Sequence, residues 1–461
     1  MQTRVDIKDF VNKIEQSFPT HEWKINNIHV WPILRLRLHF YLINFLENKP
    51  QKNAPQKKKK TVKSFLKEIY FVVHYISFLV SLKVAKKLFV GSDEHRIDYK
   101  KTRFNRFFDV FIEKKKLTSY AYLEYGFTTY KNQKNKQNIF FTRKALKGFN
   151  FLYSFKKQKS KIELDKFEVF EEFLKTNGFS SFLDINNKHH FESWFNDSFY
   201  VNYLFYKKVL FKIKPSEIYI LCYYGEEIMA LTAAANRLNI KTIEYQHGPQ
   251  VDVHLAYGSW TNLPIKGFDV LPRIFWVWDS FSENVLQKWI RDNKNYSTRV
   301  VGNFWVNYFK EQHTVYPFKD FILYCVQPHP FTLEQLFTHN LLSCIKSSQF
   351  KWFIRLHPRQ LNDKDLIVNF LKQHNVLEKV NIENATNDFL PELMANAKIH
   401  LTHYSGTTLE ARDFGKKTVL LNKIGENCFA DLIKEQSAFF IDPNNSEFCY
   451  SLNKFIQDVD K

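Results

Sequence analysis

The chain has 461 residues, 44% hydrophobic and 25% charged, which excludes a disordered chain, a collagen-like rod and a small disulfide scaffold, and points to two domains plus an appendage. Its five cysteines, Cys222, Cys325, Cys344, Cys428 and Cys449, lie far apart with no CxxC spacing, so neither a cysteine zinc site nor a disulfide framework is expected, and a reducing compartment suits them. The net charge of +20 is concentrated: residues 1–170 hold 36 Lys+Arg against 15 Asp+Glu, and the remainder hold 31 against 32. A basic N-terminal third attracts an acidic partner. No zinc-finger spacing, RNP-like aromatic motif or basic heptad region is present, so nucleic acid is not the expected one.

In chain order, residues 1–50 read as helix, turn and helix, with Trp23, Trp31 and Pro32 at the joint. Gln51–Lys60 is a linker by composition. The apolar stretch Phe65–Phe89 follows, and its uncharged core, Ile69–Leu82, has 14 residues. A spanning helix needs about 20. The stretch is therefore either a buried helix or one lying in a membrane interface, flanked by Lys57–Lys60 and by Lys83, Lys86 and Lys87. The start, MQTRVDIKDF, lacks the apolar region of a signal peptide, so the expected location is cytoplasmic, at most peripheral on the inner face of the cytoplasmic membrane. Residues 61–210 are aromatic and basic with helical stretches and weak strand signals, and no topology is assigned to them.

From residue 215 strands and helices alternate. Strands are expected at Glu217–Tyr224, Lys241–Gln246, Ile274–Trp278 and Thr298–Val301, with helices at Glu226–Leu238 and Ser282–Arg291. After a break at Gly302–Pro317 the alternation restarts: strands at Phe321–Val326, Lys351–Leu356, Val380–Glu383, Lys398–His403 and Thr418–Asn422, and helices between them. Gly415 stands where a helix C-cap wants it. The pattern predicts an α/β protein with two facing Rossmann-like parallel-sheet domains, the boundaries being 1–60 for a helical segment and Lys-rich linker, 61–302 and 303–461.

Ligands bind at the carboxyl ends of parallel strands. In the second array those ends carry Gln327-Pro328-His329-Pro330, then Arg355 with His357-Pro358-Arg359, then Ser405-Gly406-Thr407-Thr408 with Glu410 in the next helix. Amides, hydroxyls and a helix start suit a phosphate, and Glu410 suits ribose hydroxyls. Each feature has a plainer reading: a helix cap, a turn, a surface charge. In the first array the ends carry Gly225-Glu226-Glu227 and Gln246-His247-Gly248, which offers Glu226, Glu227 and His247 as general-base candidates. No G-x-G-x-x-G, Walker A or G-x-S-x-G motif occurs, and the DxD-like string Asp458-Val459-Asp460 stands at the C-terminus, so no metal and no cofactor is expected.

These residues resemble a family. Glu244-Tyr245-Gln246-His247-Gly248 with His254 and Tyr257 is similar to the E-x-Q-H-G…H-x-x-Y segment of bacterial capsule and surface-polysaccharide glycosyltransferases of the GT-B fold. Val301-Gly302-Asn303 resembles their V-x-G-N segment, Arg355-Leu356-His357-Pro358 their His-Pro motif, and Ser405–Ala411 their Ser/Thr-rich motif with a following glutamate. Trp23 and Val30-Trp31-Pro32-Ile33-Leu34-Arg35 are similar to an N-terminal segment common among them. The resemblance implies a metal-independent, inverting transfer of a sugar from a nucleotide donor, a CMP-sugar by analogy with the Kdo and sialic acid transferases, to a lipid-linked or polymeric glycan. It assigns His357, Ser405, Thr407 and Thr408 to the donor nucleotide and its phosphate. The acidic pair here follows the glycine rather than preceding it, so the base stays open between Glu226, Glu227 and His247. Alternatives are a UDP-sugar 2-epimerase of the same fold, a CDP-polyol phosphotransferase and a non-catalytic glycan-assembly scaffold.

Overall fold

In the computed structural model the described residues are 3–47, 62–127, 132–156, 160–291, 293–312, 316–328 and 331–459. The expected linker Gln51–Lys60, together with His329, Pro330 and Asp460, lies outside them. The chain divides into two compact units, Met1–Phe304 and Trp305–Lys461.

Met1–Phe304 is built on seven parallel strands: β1 (Lys87–Ser92), β2 (Tyr120–Tyr125), β3 (Ile139–Phe141), β4 (Glu217–Ile220), β5 (Lys241–Tyr245), β6 (Ile274–Val277) and β7 (Ser297–Val300). Their order is β7-β6-β5-β4-β1-β2-β3. The chain begins at the centre, builds outward to β3, then returns to the other side of β1. The order reverses between β1 and β4, and that reversal is where a doubly wound sheet opens a crevice at its carboxyl edge. Leu88, Phe89 and Val90 of β1 are buried, as a strand covered on both faces requires.

Three of these strands come from the region left without a topology. The apolar stretch is helical only over Val62–Ser81, and its end becomes β1. That helix is neither wholly buried nor free. It buries Phe71, Tyr75 and Phe78, and it crosses the helix Thr142–Tyr153 so closely that a Cβ at Gly148 would collide with the carbonyl oxygen of Phe71.

The first 47 residues are no appendage. The helices Arg4–Ser17 and Trp31–Leu46 share one hydrophobic core with the sheet. Between them a short hairpin pairs Lys24–Ile25 with Ile28–His29, and Asn26 and Asn27 both take left-handed φ, as a two-residue hairpin turn needs. Trp23 packs on Trp31, Phe167 and Phe170.

Trp305–Lys461 holds six parallel strands: β8 (Phe321–Cys325), β9 (Trp352–Arg355), β10 (Val380–Asn381), β11 (Ala397–Thr402), β12 (Thr418–Leu420) and β13 (Ala438–Phe440). Their order, β10-β9-β8-β11-β12-β13, is the dinucleotide-fold order, with its reversal between β8 and β11. The expected strands fall within a residue or two of these. The helix Thr407–Asp413 ends as predicted, with Gly415 at φ +69°. Both sheets are Rossmann-like, and the protein is α/β.

Candidate functional site

In Trp305–Lys461 the reversal point is framed by Gln327 after β8 and by the turn after β11. Gln327 is buried and joins its neighbours on both sides. Its Oε1 accepts from the Tyr404 amide at 2.7 Å, and its carbonyl accepts from Gln360 Nε2 at 3.0 Å. Gln360 Oε1 in turn accepts from the His357 amide at 3.2 Å. The His-Pro turn and the Ser-Gly-Thr-Thr turn are thus parts of one hydrogen-bonded corner.

His357 caps the turn Pro358–Asp363: its Nδ1 accepts from the Arg359 amide at 3.1 Å. An accepting Nδ1 places the proton on Nε2. Burial, helped by the exposed Arg359, lowers the pKa of this half-buried ring. His357 is therefore a neutral donor through Nε2. Ser405 Oγ accepts from the Thr407 amide at 3.3 Å, and neither its own proton nor the Gly406 amide has an acceptor among the described residues.

Other members of the predicted set face inward. Thr407 Oγ1 pairs with His400 Nε2 at 3.0 Å, and His400 Nδ1 with Thr418 Oγ1 at 3.0 Å. Thr408 Oγ1 donates to the Ser405 carbonyl at 2.8 Å. Arg355, expected to meet a phosphate, donates through Nη1 to the carbonyls of Ala385 and Asp388 at 2.6 and 2.7 Å, and so caps the end of the helix Glu383–Asn387. The helix Thr407–Asp413 spans seven residues, under two turns, so individual donors rather than a macrodipole carry any anion contact here. Glu410 is half-buried in its first turn, and Pro358 is exposed at the start of its own turn.

In Met1–Phe304 the reversal point gathers histidines. His95 follows β1, Cys222 to Gly225 follow β4, and Gln246 to Gly248 follow β5. Cys222 sits at φ +56°, a strained value for a residue with a Cβ. The rings of His95 and His247 are 6.5 Å apart. Tyr224 Oη lies 3.3 Å from His247 Nε2, and His247 Nδ1, buried and unpaired, lies 4.0 Å from Glu244 Oε1. Burial lowers His247 to about 3, assisted by His95, His254 and Arg106, and it lowers His95 to about 4.

Glu244 is fully buried. It accepts from Tyr257 Oη at 2.7 Å, its Oε2 has no partner, and burial raises its pKa to about 8. His247, with 17% of its side chain exposed, is the part of this pair that reaches the surface.

The remaining predicted residues support this arrangement. Gln246 is spent internally: Nε2 donates to the Gly248 carbonyl and to Ser282 Oγ, while Oε1 accepts from the Trp278 amide. Tyr257 is buried on Glu244, and His254 packs on Tyr224 and His39. Gly225 precedes the helix Glu226–Arg237. Glu226 is paired with Arg37 at 2.8 Å, and Glu227 accepts from the buried Tyr206 hydroxyl. Sequence reasoning passed over His95, Arg106 and Tyr224. It quoted Glu244 only as part of a motif. Among the described residues no group of three or more His, Cys, Asp or Glu stands where it could hold a metal ion.

The neutral histidines carry a pH dependence. His95, His247 and His254 have folded values of about 4, 3 and 4, below the ordinary 6.5. The unfolded chain takes up their protons first, so their stabilisation is complete above pH 6.5 and is lost as pH falls toward those values, each by up to about 1.4 kcal/mol per pH unit. Glu244 runs the other way: its folded value is raised, so stability is lost as pH rises from about 4.5 toward 8. Thermal melting is expected to drop from pH 6.5 to pH 5, and Glu244→Gln is expected to remove the decline toward pH 8 and to steepen the fall below pH 6.5, where Glu244 opposes the histidines.

No family model matches the chain, and no curated protein does. Among solved structures it is similar to UDP-GlcNAc 2-epimerase from Methanocaldococcus jannaschii, with 13% identity over 80% of this chain and 91% of that one at a TM-score of 0.46. It is also similar to UDP-GlcNAc 2-epimerase from Neisseria meningitidis bound to UDP-GlcNAc, with 15% identity, 80% and 91% coverage and a TM-score of 0.47. A third is a glycosyltransferase from Rickettsia africae, with 11% identity, 81% and 89% coverage and a TM-score of 0.43. At these values the likeness speaks to neither substrate nor reaction.

Proposed function

We propose that this protein is a nucleotide-sugar enzyme in which Trp305–Lys461 holds the nucleotide's phosphate and Met1–Phe304 supplies the acid–base chemistry. What supports the reading is the corner at the β8/β11 reversal. There Gln327 ties together two turns that offer three donors unpaired among the described residues, His357 Nε2–H, the Ser405 hydroxyl and the Gly406 amide. Neutral donors fixed by the protein's own hydrogen bonds offset charge on a leaving phosphate without reorganising.

The finer reading is a glycosyltransferase with a CMP-sugar donor and a lipid-linked or polymeric glycan acceptor. The acceptor hydroxyl loses its proton to the base, its oxygen bonds to the anomeric carbon, and the bond from that carbon to the phosphate oxygen breaks as the nucleotide leaves. Of the three base candidates, Glu226 is neutralised by Arg37 and Glu227 is held by Tyr206. Among the described residues His247 keeps an Nε2 that meets only the Tyr224 hydroxyl, so it is the candidate left free to take the proton, a weak base at its lowered pKa.

A 2-epimerase acting on a UDP-sugar is the second reading. It is favoured by the Gly302-Asn303 segment, a feature such enzymes share, here anchored where Tyr245 Oη donates to the Gly302 carbonyl at 3.1 Å. Incubation with UDP-GlcNAc alone separates the two: the transferase leaves the sugar unchanged, and conversion without any acceptor overturns it. In a thermal-shift screen, a rise with CMP or CDP and none with UDP or GDP is expected of the CMP-sugar reading; ligand at a hundred times its Kd adds about 2.7 kcal/mol. Binding without turnover on any acceptor would favour the scaffold reading.

A further inference from the structure

The helix Val62–Ser81 has two apolar faces, and only one is covered. Tyr75 and Phe78 pack inward against Phe149 and Phe205, and Phe71 is buried against the helix at Gly148. On the opposite side Leu66, Ile69, Tyr70, Val73, Ile76 and Val80 are each 44% to 81% exposed. Their spacing keeps them on one stripe, roughly 21 Å long at the helical rise. Apolar exposure this continuous marks a surface that meets something.

Charge says what it meets. Residues 62–87 and 142–156 together carry nine Lys+Arg and one acidic residue, Glu68. Lys144 donates to Tyr70 Oη at 3.0 Å, and Lys147 lies over the Phe71 ring. Lys67, Glu68 and Lys147, with Phe71 and Phe151, line a groove of about 440 Å³ beside the helix. Lys83 and Lys86 are exposed just past its end. A second copy of this chain would press like charge on like charge. A nucleic acid would leave the apolar stripe without a partner. Among the described residues no helix is long and apolar enough to cross a membrane.

We propose that the exposed stripe of the helix Val62–Ser81, framed by the lysines of the Thr142–Tyr153 helix, docks this protein in the interface of an anionic lipid bilayer. The stripe enters the acyl boundary while the lysines stay at the headgroup phosphates. Each lysine at such a surface is worth roughly fivefold in affinity. The inference is independent of the nucleotide reading, since it concerns adsorption and not turnover.

The test is sedimentation of the full chain with vesicles of phosphatidylcholine alone or mixed with phosphatidylglycerol. The wild type is expected to pellet with the mixed vesicles at least about tenfold more strongly than with the neutral ones, and to be released by added salt. Val73→Glu together with Ile76→Glu, and separately Val80→Glu, are expected to lower that binding about tenfold or more with an unchanged circular dichroism melt. The exposed Val80 keeps the test valid if the double variant folds poorly. The proposal is overturned if the wild type stays in the supernatant with anionic vesicles or if Val80→Glu binds as tightly as the wild type. It is also overturned if light scattering finds a dimer that Val80→Glu dissolves while vesicles bind neither form.

Discussion

Arg35→Ala is expected to destabilise Met1–Phe304 by about 3–5 kcal/mol, because it leaves a buried carboxylate without its counter-charge. Arg35 and Glu15 are both fully buried and paired at 2.7 Å. Glu15 Oε1 also accepts from Trp31 Nε1, and its Oε2 accepts from the amide and hydroxyl of Thr261 at 2.8 and 2.7 Å. Arg35 donates to the carbonyls of Leu255, Gly258 and Ser259 and stacks on Trp260. The pair therefore nails the first two helices to the loop that carries His254 and Tyr257. Denaturant titration is expected to show a lower midpoint. Glu15→Leu combined with Arg35→Met is expected to recover much of the loss, since no charge is then stranded. A loss under about 1 kcal/mol for Arg35→Ala would show that the loop is held by packing alone.

This ion pair also explains why two distant strings occur together in one chain. The Trp31-Pro32-Ile33-Leu34-Arg35 segment and the His254…Tyr257 segment read as separate motifs, but the first supplies the arginine that receives the second's carbonyls. Nothing local in the sequence announces that contact. The same limit hides His95. Its partner, His247, is 152 positions away, and they meet only because β1 and β5 flank β4 at the centre of the sheet and both end at the same edge.

Periodicity served from residue 215 onward, where short apolar strands such as Phe321–Cys325 are punctuated by turns, but β4 ends at Ile220 rather than the expected Tyr224, the backbone turning at Cys222 with its positive φ, and β13 has no expected counterpart. It failed at β1. There the helix ends at Ser81 and the strand begins at Lys87 inside one apolar run that contains no glycine or proline before Gly91. β3 has only three residues and gives no period at all. At the candidate site, residue type was readable and direction was not. Arg355 looks like a phosphate ligand by type, but β9 delivers its guanidinium to the carbonyls of Ala385 and Asp388. Thr407 looks like a ligand hydroxyl, but it faces His400 beneath the turn.

His357→Asn is expected to lower nucleotide affinity about 10- to 100-fold while leaving the fold intact. The histidine does two things that its two nitrogens separate. Nδ1 accepts from the Arg359 amide and caps the turn, and Nε2–H is the donor left for a phosphate. Asparagine is a good capping residue, so its Oδ1 takes over the first task. It is too short to reproduce the second. A hydrogen bond to a charged group is worth about 1.5–3 kcal/mol, which sets the expected loss. His357→Ala removes both functions and is expected to lose affinity and melting temperature together. Ser405→Ala is expected to weaken binding while also loosening the turn that its Oγ closes on the Thr407 amide. Calorimetric titration with the nucleotide that gives the largest thermal shift, run beside melting curves of each variant, reads both quantities. Affinity in His357→Asn equal to that of the wild type would remove His357 from the donor site, and the β8/β11 corner would then be a structural joint between two turns.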